Sequence, residues 1–234
     1  MILCPGHLWT HVPKTAGTYT RARLLENGLG EEVEVEARRS HVPLDEVPEE
    51  WLAGRLVVSN IRNPWDWYVS FVHHYTAFDH SKTHGILKDL AGETPTDFKA
   101  TLHRLLFPVG SRRSWFGRTY STRAERREAQ IHQEIAELPG GLYRWCVEHI
   151  TSGRVQTWID SYAIERGLSS VFGVEVSPGP LLNVNGCNKS HAPHGPAADY
   201  YDDESVAWVA DVEAWCLDRF GYRGPGAPAL RGVA

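Results

Sequence analysis

Nowhere in the sequence do two cysteines stand close together. Cys4, Cys146, Cys187 and Cys216 are scattered over 234 residues with no CxxC pair, which excludes a disulfide-dense secreted scaffold and the familiar zinc spacings. They read as reduced, mostly buried thiols. Long apolar runs are missing too: no stretch approaches the roughly 18 residues a membrane span needs, and the opening MILCPGHLWTHVPK carries no cationic leader. Neither export nor a membrane partner is expected, and the expected location is cytoplasmic. Nor is there an excess of positive charge. Lys and Arg number 24 against 29 Asp and Glu, a net charge of −5, so bulk electrostatic binding to nucleic acid or anionic lipid is excluded and any anion site must be built locally. With no internal repeat, no composition shift and 42% hydrophobic residues, residues 1–234 read as one domain with a well-buried core.

What is present alternates between strand-like and helix-like segments. Residues 7–12 form a short β-like run broken by Pro13, and after the turn residues KTAGT a helix is expected over 19–27, closed by Gly28. Further β-like runs cover 33–37 and 56–61, the latter followed by an aromatic-rich helix over 65–77. Residues 78–125 lack a clean period and read as an irregular, acceptor-facing insertion with a short helix near 97–106. Helices follow over 123–138 and 142–150, then a strand over 155–159 and a helix over 161–172. Asp202, Asp203 and Glu204 cap a last helix running toward Phe220, and the tail after Arg223 is expected to be loose. Strands alternating with helices predict an α/β fold: three P-loop-like layers, with a central, mainly parallel sheet between helices.

The loop His11-Val12-Pro13-Lys14-Thr15-Ala16-Gly17-Thr18-Tyr19 has the form of an anion cradle. A helix N-terminus offers unpaired N–H groups and a positive dipole end. Gly17 would let the backbone approach an anion, Thr15 and Thr18 could add hydroxyls, and Lys14 would place an ammonium over the loop. The nucleoside-triphosphatase P-loop differs, since its Lys follows the last Gly, whereas Lys14 precedes Gly17. The run ending Ser59-Asn60-Ile61-Arg62 also lacks the Asp that would hold magnesium.

Together, HVPKTAGTYT and VVSNIRNPWDWYVSFVHHY resemble, in the same order, the two nucleotide-binding segments of the sulfotransferases, enzymes that use 3′-phosphoadenosine-5′-phosphosulfate (PAPS). The resemblance implies that Lys14, Thr15, Ala16, Gly17, Thr18 and Tyr19 hold the 5′-phosphosulfate and that Arg62 and Ser70 hold the 3′-phosphate. The stretch Arg39-Ser40-His41-Val42-Pro43-Leu44 is similar to the segment that carries the general base of the cytosolic branch, which makes His41 that base. A histidine suits the task because its ordinary pKa lets it take a hydroxyl proton near neutral pH. Towards the C-terminus, Asn188-Lys189-Ser190 and Tyr200-Tyr201-Asp202 are similar to the closing region of bacterial and carbohydrate-type members. Lys189 and Ser190 thus become candidates for nucleotide contact, although the Arg-Lys-Gly segment of the cytosolic branch is absent.

The implied reaction is metal-free sulfuryl transfer from PAPS to a hydroxyl of a small-molecule, natural-product or glycan acceptor, with 3′-phosphoadenosine 5′-phosphate as product. His41 and Lys14 are its catalytic residues. A homodimer stays open. Two alternatives are a magnesium-dependent P-loop kinase or nucleotide hydrolase and an inactive nucleotide-binding module of the same fold. His73, His74, His80 and His84 match no zinc motif. The aromatic residues Trp65, Trp67, Tyr68, Phe71, Tyr75, Phe78, Trp115 and Phe116 are expected partly in the core and partly along the acceptor side. Arg112, Arg113, Arg118, Arg123, Arg126 and Arg127 read as a solvated helix face, with the binding of an anionic acceptor such as a polysaccharide as the alternative.

Overall fold

The computed structural model describes residues 1–35, 41–77, 97–107, 140–179 and 194–234, with the side chains of 75–77 left aside. The expected helix over 123–138, the arginine cluster, Cys187, Lys189, Ser190 and most of the 78–125 insertion lie outside the described residues.

Five strands form one sheet: β1 (Ile2–Cys4), β2 (His7–His11), β3 (Glu31–Glu32), β4 (Leu56–Ile61) and β5 (Thr157–Asp160), in the spatial order β3-β1-β2-β4-β5. β2, β4 and β5 run parallel, with His11 opposite Asn60 and Asn60 opposite Ile159. The other two pairings, β1 with β2 and β1 with β3, are antiparallel. The sheet is therefore mixed rather than mainly parallel. Pro5 and Gly6 fold β1 back onto β2 within two residues, Gly6 taking the left-handed φ of 71° that this tight turn needs. The β-like run over 33–37 shifts as well: its paired strand is Glu31–Glu32, and beyond it the Val33 N–H donates to the Met1 carbonyl.

Alternating side chains send the strands' apolar residues to opposite faces. Leu8, Val57, Ile61 and Trp158 join the larger cluster with α3 (Pro64–Ala77), α4 (Phe98–Leu106) and α5 (Leu142–Thr151). Trp9, Val58 and Ile159 join the smaller one with α1 (Gly17–Glu26) and α6 (Ile164–Phe172). A short helix α2 (Glu49–Leu52) precedes β4. Helices thus flank both faces of an α/β sheet. Among the described residues, no helix is long and apolar enough to cross a membrane.

The C-terminal helix is two helices, α7 (Asp203–Val212) and α8 (Ala214–Phe220). A capping box between Asp202 and Ser205 starts α7. Between the two helices Glu213 is fully buried and accepts from the Tyr68 hydroxyl and the Trp215 indole, both at 2.7 Å. Its φ of −103° and ψ of 23° depart from helical values. The tail is not loose, because Asn63 Nδ2 donates to the Gly224 and Ala227 carbonyls at 2.7 and 2.8 Å. Asp66 accepts from the Gly226 amide and Asp160 from the Ala229 amide, while the Ala234 amide donates to the Trp158 carbonyl along the open side of β5. Buried polar side chains that need partners therefore hold the tail down.

Candidate functional site

The parallel strands β2 and β4 end side by side, and the loop that follows each carries a cation. After β2, Lys14 and Ala16 both take left-handed backbone angles, with φ of 65° and 64°. Such alternation turns successive N–H groups to one side. The amides of Ala16, Gly17 and Thr18 have no protein partner among the described residues, whereas the Tyr19 and Thr20 amides both donate to the Ala16 carbonyl at 3.1 Å. No acidic residue occupies the first turn of α1. A helix start with free amides and no competing carboxylate is a ready anion site.

The loop's shape comes from beneath. Thr15 is fully buried and its hydroxyl donates to the Val12 carbonyl at 2.8 Å, so it builds the turn rather than facing a ligand. Thr18 is exposed. Tyr19 points away, its hydroxyl bonding Glu165. Gly17 is required on the inner side: a Cβ there would lie 1.9 Å from Cδ2 of His11. His11 stacks in turn on Trp9, with ring centroids 5.2 Å apart. The Trp67 indole donates to the Pro13 carbonyl at 2.7 Å and ties the loop to α3.

After β4, Arg62 Nη1 donates to the Lys14 carbonyl at 3.1 Å. Neither Arg62 nor Lys14 has a carboxylate within ion-pair distance among the described residues. Burial pushes the Lys14 ammonium down to about 8, and the Arg62 charge adds to that shift. Two neighbouring cations held without a counter-ion form a positive pole that an anion would relieve. Ser70, two turns along α3, is buried and its hydroxyl has no protein partner among the described residues. No hydrogen bond joins it to Arg62.

His41 joins this group. Its ring meets His11 edge-on at 4.4 Å, and its Nδ1 donates to the His11 carbonyl at 3.4 Å, which leaves Nε2 as the unprotonated nitrogen. The residue takes a left-handed φ of 56° just before the buried anchors Val42, Leu44 and Val47. The residue is exposed at the surface, yet the protein packed around its ring lowers its pKa; the bond to the His11 carbonyl raises it, and the Lys14 charge lowers it further.

His194, unforeseen from the sequence, packs against α3. Its ring lies 5.2 Å from that of His73, one turn beyond Ser70 on α3, and Nδ1 donates to the Gly195 carbonyl at 2.9 Å. Burial lowers its pKa; the bond to the Gly195 carbonyl works the other way, and the electrostatic effects of His73, Arg62 and Lys14 lower it further. Nothing in the run His191-Ala192-Pro193-His194 singles it out. Its position depends on Tyr200, whose hydroxyl accepts from the Gly195 amide at 3.1 Å and whose ring packs on His73 at 4.8 Å.

Among the described residues no group of three or more His, Cys, Asp or Glu side chains is arranged to hold a metal ion. Comparison with known protein families, with curated proteins and with solved structures finds no match to this chain.

Proposed function

We propose that the protein is a PAPS-dependent sulfotransferase with a P-loop-like three-layer fold, acting on a hydroxyl of a small-molecule, natural-product or glycan acceptor. One observation carries the reading: Lys14 and Arg62, neither with a carboxylate partner among the described residues, stand where two adjacent parallel strands end, with the Arg62 guanidinium on the Lys14 carbonyl and the free amides of Ala16 to Thr18 next along the same loop. Ligands of open α/β sheets gather at that edge. The residues fit a nucleotide with two separate anionic groups, one over the amides of Ala16 to Thr18 and one beside Arg62.

PAPS supplies a sulfuryl group already activated by its bond to a phosphate oxygen. Lys14 is placed to offset negative charge that develops on that oxygen as its bond to sulfur breaks. The free amides hold the phosphate in line. Nε2 of His41 accepts the proton of the acceptor hydroxyl as the new oxygen–sulfur bond forms, and its lowered pKa keeps it neutral and ready at neutral pH. A magnesium-dependent kinase is less well supported, because the β4 residues where a metal-holding acid would stand are Ser59 and Asn60.

Thermal shift and calorimetry with 3′-phosphoadenosine 5′-phosphate, without metal, test this beside AMP and magnesium-ATP. Selective stabilisation by the bisphosphate is expected. A preference for magnesium-ATP, or no response, would overturn the reading.

A further inference from the structure

Glu213 is a fully buried acid for which the chemistry above has no use. It stands at the break between α7 and α8, and its carboxylate lies against the start of α5. That helix has no side-chain cap of its own. Its N-cap is Gly141, and a Cβ there would lie 2.4 Å from Oε1 of Glu213 and 2.5 Å from the Tyr68 hydroxyl. A carboxylate suits a helix N-terminus, where amides lack partners and the dipole is positive. The side-chain partners of Glu213 are donors: the Tyr68 hydroxyl reaches Oε1 and the Trp215 indole Oε2, each at 2.7 Å. Burial raises the Glu213 pKa, while these two bonds, with backbone bonds from Arg144 and Tyr143, work the other way.

From this carboxylate an unbroken path leads to Arg62. The Tyr68 hydroxyl that donates to Glu213 accepts from the Tyr143 N–H at 3.4 Å. At the far end of the same residue, the Tyr143 hydroxyl accepts from the Arg62 N–H and donates to the Arg62 carbonyl. Arg62 depends on that hold, because it lies one residue past Ile61, where β4 and its pairing with β5 both end. We infer that Glu213 is a positioning residue for the anion site: by capping α5 it fixes where Tyr143 stands, and so the point from which the Arg62 guanidinium reaches out. It acts through another residue and not on the ligand. Its effect on binding therefore passes through Tyr143 and disappears without it. This deepens the sulfotransferase reading and rests on it for the identity of the bisphosphate, but not for the hold on Arg62.

The test compares wild type, Glu213→Gln, Tyr143→Phe and the double variant. Glu213→Gln keeps the side chain's shape but turns one acceptor towards Tyr68 or Trp215 into a donor. Amide hydrogen exchange of the ligand-free proteins reads the Arg62 N–H directly, with the amides inside β4 reporting global opening. Calorimetry reads the affinity for 3′-phosphoadenosine 5′-phosphate. Glu213→Gln is expected to speed exchange at Arg62 about tenfold beyond any change in β4 and to weaken the bisphosphate by a similar factor. In the Tyr143→Phe background the same substitution should cost no further affinity. Exchange at Arg62 that merely follows β4, an unchanged affinity, or an equal loss of affinity in both backgrounds would overturn the inference. If the wild type refuses the bisphosphate but binds pyrophosphate, the sulfotransferase reading falls, and the same comparison with pyrophosphate decides the role of Glu213. If it binds neither, both are lost. Should Glu213→Gln not fold, Tyr68→Phe breaks the path at its middle link and is held to the same outcomes.

Discussion

Tyr143 grips the main chain of Arg62 from both sides: its hydroxyl accepts from the Arg62 N–H and donates to the Arg62 carbonyl, each at 2.9 Å. The tyrosine is fully buried and its ring stacks on Trp67, which in turn holds the Pro13 carbonyl. Tyr143→Phe removes one oxygen and strands two backbone groups. The expected cost is about 1–3 kcal/mol in denaturant unfolding. Bisphosphate affinity should fall as well, because Arg62 loses its fixed origin. Unchanged affinity in a destabilised variant would show that the clamp serves the fold alone.

Lys14 should be a liability to the empty protein. Its pKa falls from 10.5 to about 8 on folding, so between those values the unfolded chain binds more protons and stability rises with pH. Below pH 8 the buried charge destabilises the fold. Lys14→Met should therefore raise the melting temperature at pH 7, by about 2–4 °C for each kcal/mol recovered, and the gain should shrink as pH approaches 10. The same variant should lose turnover more than bisphosphate binding, since the ammonium acts on charge that develops during transfer.

Gly17→Ala drives a methyl group into the His11 ring. Overpacking of this kind costs about 1–3 kcal/mol, and since Gly17 has no left-handed backbone, little of that cost is conformational strain. His11→Ala in the same chain should return much of it. A double-mutant cycle by thermal denaturation would read the coupling, and additive effects would refute the contact as the cause.

Asn63 links the site's helix to the tail. It caps α3, accepting from the Trp65 N–H at 3.0 Å, and donates to two tail carbonyls. Asn63→Ala should cost about 2–3 kcal/mol and should make residues 224–227 susceptible to limited proteolysis before the rest of the chain. Protection equal to the wild type would mean that Asp66 and Asp160 suffice to hold the segment.

Local chemistry made part of this molecule legible in advance. β4 was readable to the residue at 56–61, and α3 and α5 to within a residue at either end, because β-branched runs and apolar periodicity coincide there with Pro64 and Gly141 as boundaries. The cation pair Lys14 and Arg62 was readable because its members follow strands directly. β1 escaped notice because three residues carry no period, and the break at Glu213 because a buried acid's partners, Tyr68 and Trp215, include one 145 residues away. Gly17 has a reason to be glycine that the sequence did not show. It makes room for an imidazole under the loop, and only the tertiary fold brings His11 there. His194 escaped for the same reason, since the ring it meets on α3, that of His73, lies far away in the chain.

One row of buried polar groups runs from the sheet into the loop: the Trp9 indole donates to Asn60, Asn60 to the Thr20 hydroxyl, and that hydroxyl to the carbonyl of left-handed Ala16. Each link is fastened to regular structure, so folding itself sets the anion loop before any ligand arrives. Capture then needs no slow rearrangement of that loop. Encounter should be governed by diffusion through the field of Lys14 and Arg62, and its rate should fall with added salt while dissociation stays nearly constant.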